Sequence, residues 1–178
     1  MVRTMLEMAK RYLERGFSVI PVEPRGKKPI IPWKEYQSRR PSLDEITEWF
    51  SAGDNNIGIV TGSVSGVDVI DTDTKEALAL AKSLGLPEAP MVETGRCYHI
   101  YCSHRQGVGN FQKRSDLPGI DLRGEGGFVV APPSVHSSGV IYKWVKTGNG
   151  KMVLPKLPEW ILAKQPNGHR DDISFAEL

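Results

Sequence analysis

The order in which helical and strand periodicities follow one another is what most restricts the fold of this chain. Helical spacing comes early, and short strand-like segments crowd together afterwards, without the regular strand-helix alternation of a parallel sheet. "TMLEMAKRYLERG" sets Met5, Met8, Ala9, Tyr12 and Leu13 on one helical face and stops at Gly16. "FSVIPV" reads as a strand, and "EPRGKKPIIPWKEYQSRRP" as a long ordered loop of Pro, Gly and basic residues. "SLDEITEWF" opens a second helix with Ser42 three residues before Glu45, the pattern of a capping box. "NIGIVTG" and "GVDVIDTD" are two strands joined by "SVSG" and predict a hairpin, and "TKEALALAKSLG" is a third helix ended by Gly85.

The remainder is mostly β. "MVETG" and "YHIYC" are strands around a turn at Gly95, and "GIDLRG" and "GFVVAPP" predict a second hairpin with Glu125-Gly126 near its tip. "VIYKWV" is a last strand and "PEWILAK" a short closing helix. The expectation is one α+β domain over residues 1–164, with a mixed or antiparallel sheet and flanking helices. Residues 165–178, largely polar, read as a linker leading elsewhere or a fraying tail.

A chain of 178 residues is long enough to bury a sizeable core, and 39% hydrophobic with 25% charged residues is ordinary for a soluble globular protein. No apolar run approaches the ~20 residues of a membrane span, so no membrane partner is expected. Two cysteines, Cys97 and Cys102, are too few for a disulfide scaffold and fit a reducing cytoplasm. The net charge of +2 hides an uneven distribution: residues 1–41 carry +6, residues 42–90 carry −7 and residues 91–178 carry +3. Basic segments on either side of an acidic one suit a cation site ringed by phosphate-binding surface.

The acidic segment contains "VDVIDTD". Alternation along a strand puts Val67, Val69, Asp71 and Asp73 on one side. The valines suit a core, whereas two like charges ~6–7 Å apart do nothing for packing. A divalent cation between them resolves the conflict, and a strand running out into a solvated turn produces the same letters. Asp68 has the opposite parity and belongs on the other face. A third acid, Asp121 in "GIDLRGEGG", shares a strand face with Arg123. Phosphoryl transfer through metals needs such a carboxylate cluster, with cationic groups for the phosphates.

In "TGRCYHIYC", a Thr-Gly turn leads into a strand bearing His99. His99 fits either a hydrogen-bonded strand histidine or a phosphate contact aided by Thr94, Arg96 and the turn backbone. Zinc at Cys97, His99, Cys102 and His104 is disfavoured, because the first pair and the second pair face opposite ways. "PRGKKPI" lacks the spacing of a P-loop, and "RGEGGF" lies between strands and not before a helix. In "VVAPPSVHSSGVIYKW", Ser134 and His136 belong either to a rigid loop or to the lining of a cleft shared with Asp121.

Taken together and in this order, "AKRYLERGFSVIPV", "GKKPIIPW", "NIGIVTG", "VDVIDTD", "ETGRCYHIY", "GIDLRGEGGFVVAPPSVHSSGVIYKW" and "LPEWIL" resemble the primase-polymerase (prim-pol) domain of the archaeo-eukaryotic primase superfamily. The likeness is to its bifunctional DNA primase/polymerase N-terminal family, found on plasmids, phages and prophages. The resemblance implies a primase-type catalytic domain with an RRM-like catalytic half. It implies that Asp71, Asp73 and Asp121 hold two Mg²⁺ or Mn²⁺ ions, and that His99 contacts the incoming nucleotide's phosphates, with Arg123 beside it. Basic loop residues Lys27, Lys28, Arg39 and Arg40 would track the template backbone. The partners so implied are single-stranded DNA template, primer and nucleoside triphosphates, and a helicase domain or protein as in many relatives. No zinc is expected. A non-catalytic single-strand-binding module and a metal nuclease are the rival functions.

Overall fold

The computed structural model describes residues 3–145 and 153–163, and the expected tail at 165–178 lies outside them. Helix α1 (Met5–Glu14) begins at a capping box in which Thr4 and Glu7 satisfy each other's backbone N–H groups. Its apolar stripe buries Ala9 and Tyr12. Strand β1 (Ser18–Val22) is buried along its whole length. The following loop includes a 3-10 helix, Lys34–Gln37, and then helix α2 (Leu43–Phe50), whose capping box joins Ser42 and Glu45 as the spacing predicts. Strands β2 (Asn56–Val60) and β3 (Val67–Thr72) precede helix α3 (Lys75–Ser83), which is capped by Thr74. Strands β4 (Met91–Glu93), β5 (Tyr98–Ser103), β6 (Ile120–Arg123), β7 (Phe128–Ala131) and β8 (Lys143–Val145) follow, and helix α4 (Glu159–Leu162) closes the described chain.

The strands form two antiparallel sheets, ordered β1-β2-β7 and β6-β3-β5-β4-β8. Both expected hairpins are corrected by this arrangement. β2 and β3 belong to different sheets and share only the bridge Gly62↔Val67. The link between them turns at Gly62, with φ of 93° and its N–H donating to Val67 O at 2.7 Å, which swings the chain from one sheet to the other. β6 and β7 are likewise split. The Gly124–Gly127 turn between them docks on Thr61, whose hydroxyl donates to Gly124 O at 2.6 Å and whose N–H donates to Gly127 O at 2.9 Å. Those bonds hold the turn against the end of β2 and leave β6 free to pair with β3.

Alternation along β3 sorts two cores. Val67 and Val69 join Val92, Tyr101, Ile57, Ile59 and the helix residues Tyr12 and Phe50 in the layer between the larger sheet and the N-terminal elements. Ile70 points the other way and packs with Ile100, Leu122, Ala77 and Ile161 under α3 and α4. The face of the larger sheet that meets the smaller sheet is therefore apolar toward one end of β3, and it changes character at Asp71. No helix among the described residues is long and apolar enough to cross a membrane.

Candidate active site

Antiparallel register places Asp71 directly opposite Asp121 on one side and His99 on the other. The three therefore form a row across β6, β3 and β5, on the face that carries Val69. Two pairs along, on the same face, Arg123 sits opposite Val69, and its Nη2 lies 3.4 Å from Asp121 Oδ2. His99 is nearly buried, with Nε2 3.5 Å from Asp71 Oδ1, while its buried Nδ1 has no hydrogen-bond partner. Burial holds the His99 pKa below the usual histidine value, aided by Lys27 and Arg123 and opposed by Asp71. The ring is thus neutral around pH 7. Asp121 is shifted the other way: burial pushes its carboxyl above the usual range, and the nearby charges of Asp71 and Asp73 add to that.

Asp73 stands one residue beyond the end of β3, so strand alternation does not place it. Its N–H donates to Gly119 O at 2.9 Å, and Oδ1 lies 3.3 Å from Arg96 Nη1. Three carboxylates are hard oxygen donors of the kind that bind Mg²⁺ or Mn²⁺. As they stand, Asp71 turns to His99, Asp73 to Arg96 and Asp121 to Arg123, and among the described residues no three acidic, histidine or cysteine side chains close on a common point. The donor set fits a divalent ion in chemistry, and the register sets two of its members, Asp71 and Asp121, side by side.

Asp71 and His99 of the row open onto a cavity of about 280 Å³ lined also by Arg123 and Lys27, together with Trp33, Asn110, Tyr142 and Gly126 to Val130, while Asp121 and Asp73 stand outside its lining. Tyr142 is buried, which, with Asp71 nearby, pushes its hydroxyl up to about 12, so it stays protonated at neutral pH. Lys27, expected at the template, lines the cavity instead, and Trp33, Asn110, Phe128 and Tyr142 join it unannounced by any motif. Their signal was weak, since each reaches the cavity only through tertiary folding.

Other expected contacts have different employment. The Thr94 hydroxyl accepts from the N–H groups of Arg96 and Cys97 at 3.1 and 3.0 Å, which builds the turn and does not leave it facing the cavity. Ser134 is fully buried, and its hydroxyl accepts from Ile57 N at 2.8 Å, a tie to β2 outside the cavity lining. His136 packs against Gly95, where an added Cβ would come within 2.2 Å of the ring, and its Nδ1 bonds Ser138. Its ring lies 6.2 Å from Tyr142 and is not part of the cavity lining. Arg39 is held by Glu35 and Glu45, while Arg40 donates to Val64 O at 3.3 Å. Lys28 is exposed. Asp68, on the opposite face as its parity predicts, is fully buried against His104 and Arg105 N.

A carboxylate row beside a cleft with cationic walls is the setting of phosphoryl-transfer chemistry. The chain matches the family model of the bifunctional DNA primase/polymerase N-terminal domain over residues 9–160, and it belongs to that family. The mixed α+β architecture with antiparallel sheets and few helices agrees with such a domain. Membership implies primase/polymerase activity of the nucleotidyltransferase type. No curated protein matches the chain.

Proposed function

We propose that the cleft adds nucleotides to a primer 3′-hydroxyl under the direction of a single-stranded DNA template. The observation that carries this reading is the row Asp121–Asp71–His99, with Arg123 and Lys27 in the wall of the same cavity. Asp71, Asp73 and Asp121 would hold two Mg²⁺ or Mn²⁺ ions, which when bound supply charge neutralisation at the attacking and leaving oxygens. Lys27 and Arg123 bind the triphosphate by charge-assisted hydrogen bonds, and His99, in the wall of the same cavity, contacts the same group. Arg96, now paired with Asp73, would be free to meet the phosphates with an ion held on that carboxylate. The bond from the 3′-oxygen to the α-phosphorus forms as the bond to pyrophosphate breaks.

The finer architecture we assign is the archaeo-eukaryotic primase type, with the five-stranded sheet as its RRM-like catalytic half. The setting is replication of a plasmid, phage or prophage in a prokaryotic cytoplasm, beside a helicase domain or protein. Lys28 and Arg40 remain as template-tracking cations at the cleft's outer loops.

Incubating the protein with a primed template, Mn²⁺ and deoxynucleotides is the test. Extension that disappears in Asp71→Ala and Asp121→Ala supports the reading. Shortening of the primer would make the protein a nuclease, and retention without reaction would make it a binding module.

A further inference from the structure

The phosphate-binding groups account for only part of the cleft's lining. Trp33, Phe128, Val129 and Val130 make another part of it apolar. Trp33 is carried there by the loop after β1, which is anchored at several points. Glu23 N donates to Lys28 O at 2.8 Å, Ile30 N donates to Pro21 O at 3.2 Å, and Val22 bridges Pro29. One loop thus delivers a cation, Lys27, and an aromatic ring, Trp33, to a single cavity. The Trp33 ring stands nearly edge to face against Phe128, with centroids 5.1 Å apart and planes at 70°. Both rings are only partly buried although both pack against the core of the smaller sheet.

This is an odd way to line an internal packing defect, and it suits a ligand with two unlike ends. A polyanion answers Lys27, His99 and Arg123, and a flat aromatic group answers Trp33 and Phe128. Phe128, Val129 and Val130 carry no side-chain donor or acceptor and Trp33 only its indole N–H, so this apolar part engages chiefly the face of a base. Every nucleobase has such a face, and stacking on an aromatic side chain tolerates any sequence.

We infer that Trp33, braced by Phe128, is the stacking platform for the base of the incoming nucleoside triphosphate. The platform binds all four bases, purines more tightly than pyrimidines because they offer more stacking area, and leaves the choice of base to the template. This rests on the nucleotide-binding reading of the same cleft.

The test compares dATP, dCTP and inorganic tripolyphosphate, each with Mg²⁺, on wild type, Trp33→Ala and Trp33→Phe, by calorimetry and by tryptophan fluorescence. Trp33→Ala should weaken dATP binding by about five- to a hundred-fold. Tripolyphosphate affinity should not change, Trp33→Phe should restore most of the loss, and dCTP should lose less than dATP. In wild type, dATP should quench fluorescence where tripolyphosphate does not, and Trp33→Phe should remove that quench. Equal losses for dATP and tripolyphosphate, or no loss for either, would overturn the platform while leaving the phosphate site standing. Wild type that binds no triphosphate, organic or inorganic, would overturn the nucleotide-binding reading itself. Melting temperatures of the variants verify that each is folded under the assay conditions.

Discussion

Asp68 and Asp71 lie three residues apart in one strand, and alanine at each should produce opposite phenotypes. Asp68 is fully buried, and it accepts from His104 Nδ1 at 2.8 Å and from Arg105 N at 2.9 Å. His104 is in turn 3.3 Å from Glu125 through Nε2, so both ring nitrogens face carboxylates. Removing Asp68 leaves a largely buried histidine and a backbone N–H without their acceptor. Breaking a buried pair by deleting one partner costs ~3–5 kcal/mol. For a chain of this size that is a drop in melting temperature of roughly 6–20 °C, at ~2–4 °C per kcal/mol. Asp71 stands directly opposite Asp121, and like charges in that position destabilise by ~0.2–1 kcal/mol. Its other neighbour, His99, is kept neutral by burial, so little ion-pair energy is lost with the carboxylate. Asp71→Ala should therefore melt within a few degrees of wild type, or above it, in the absence of divalent ions, yet fail to extend a primer. Asp68→Ala should melt far lower and, below its melting temperature, extend normally per folded molecule. Asp68→Asn, which keeps an oxygen for Arg105 N, should fall between and serves if the alanine variant does not fold. The reasoning is refuted if Asp68→Ala matches wild type in stability, or if Asp71→Ala loses many degrees and still extends.

Two further predictions concern the basic loop and the helix it meets. The Glu45 carboxyl is held down to about 2 by hydrogen bonds from Arg39, with help from Ser42 N and Tyr36. A carboxyl with a depressed folded pKa stabilises fully above its ordinary value near 4.5, and that contribution is lost as pH falls toward about 2. Glu45→Gln should therefore be less stable than wild type at pH 7, with the difference closing between pH 4.5 and 2; a gap that stays constant over that range in acid denaturation would contradict it. Arg39→Gln should lower stability without altering how template affinity falls with salt, because Arg39 is already engaged by Glu35 and Glu45. Lys28→Gln should instead reduce the salt slope by about one, measured by titration of a fluorescent single strand, and a reversal of these two behaviours would mean that the loop is docked on DNA through Arg39.

Much of the local structure was legible because local signals decide it. Ser42 and Glu45 mark the start of α2, Gly16 and Gly85 follow the ends of α1 and α3, and parity along β3 separates Asp68 from Asp71. The site row was legible in part: parity alone puts Asp121 and Arg123 on one face, but only the register of β6 on β3 sets Asp121 against Asp71. Parity did not reach Asp73, which lies past the strand's last residue and is oriented by Gly119 and Arg96. The uses of Ser134 and Thr94 were hidden for another reason. A hydroxyl that accepts from a backbone N–H 77 residues away, as Ser134 does from Ile57, has the same sequence signature as one facing a ligand.

The misread hairpins show how the cleft itself is made. Glycines between two apolar runs ordinarily signal a tight turn that folds one strand back on the other. Here β6 is the edge of the five-stranded sheet and β7 is the edge of the three-stranded sheet, and the Gly124–Gly127 turn connects the two edges. Had β6 paired with β7, the backbones of Arg123 and Phe128 would lie side by side and the space between the sheets would be filled by the ladder. With the turn tied to Thr61 at both Gly124 and Gly127, the edges stay apart. Arg123 from one edge and Phe128 from the other then line one cavity. Both sheets contribute to that lining, the smaller one also through Lys27 and Trp33 of the loop after β1, so the cleft's mixed character is a consequence of the topology and not of any single motif.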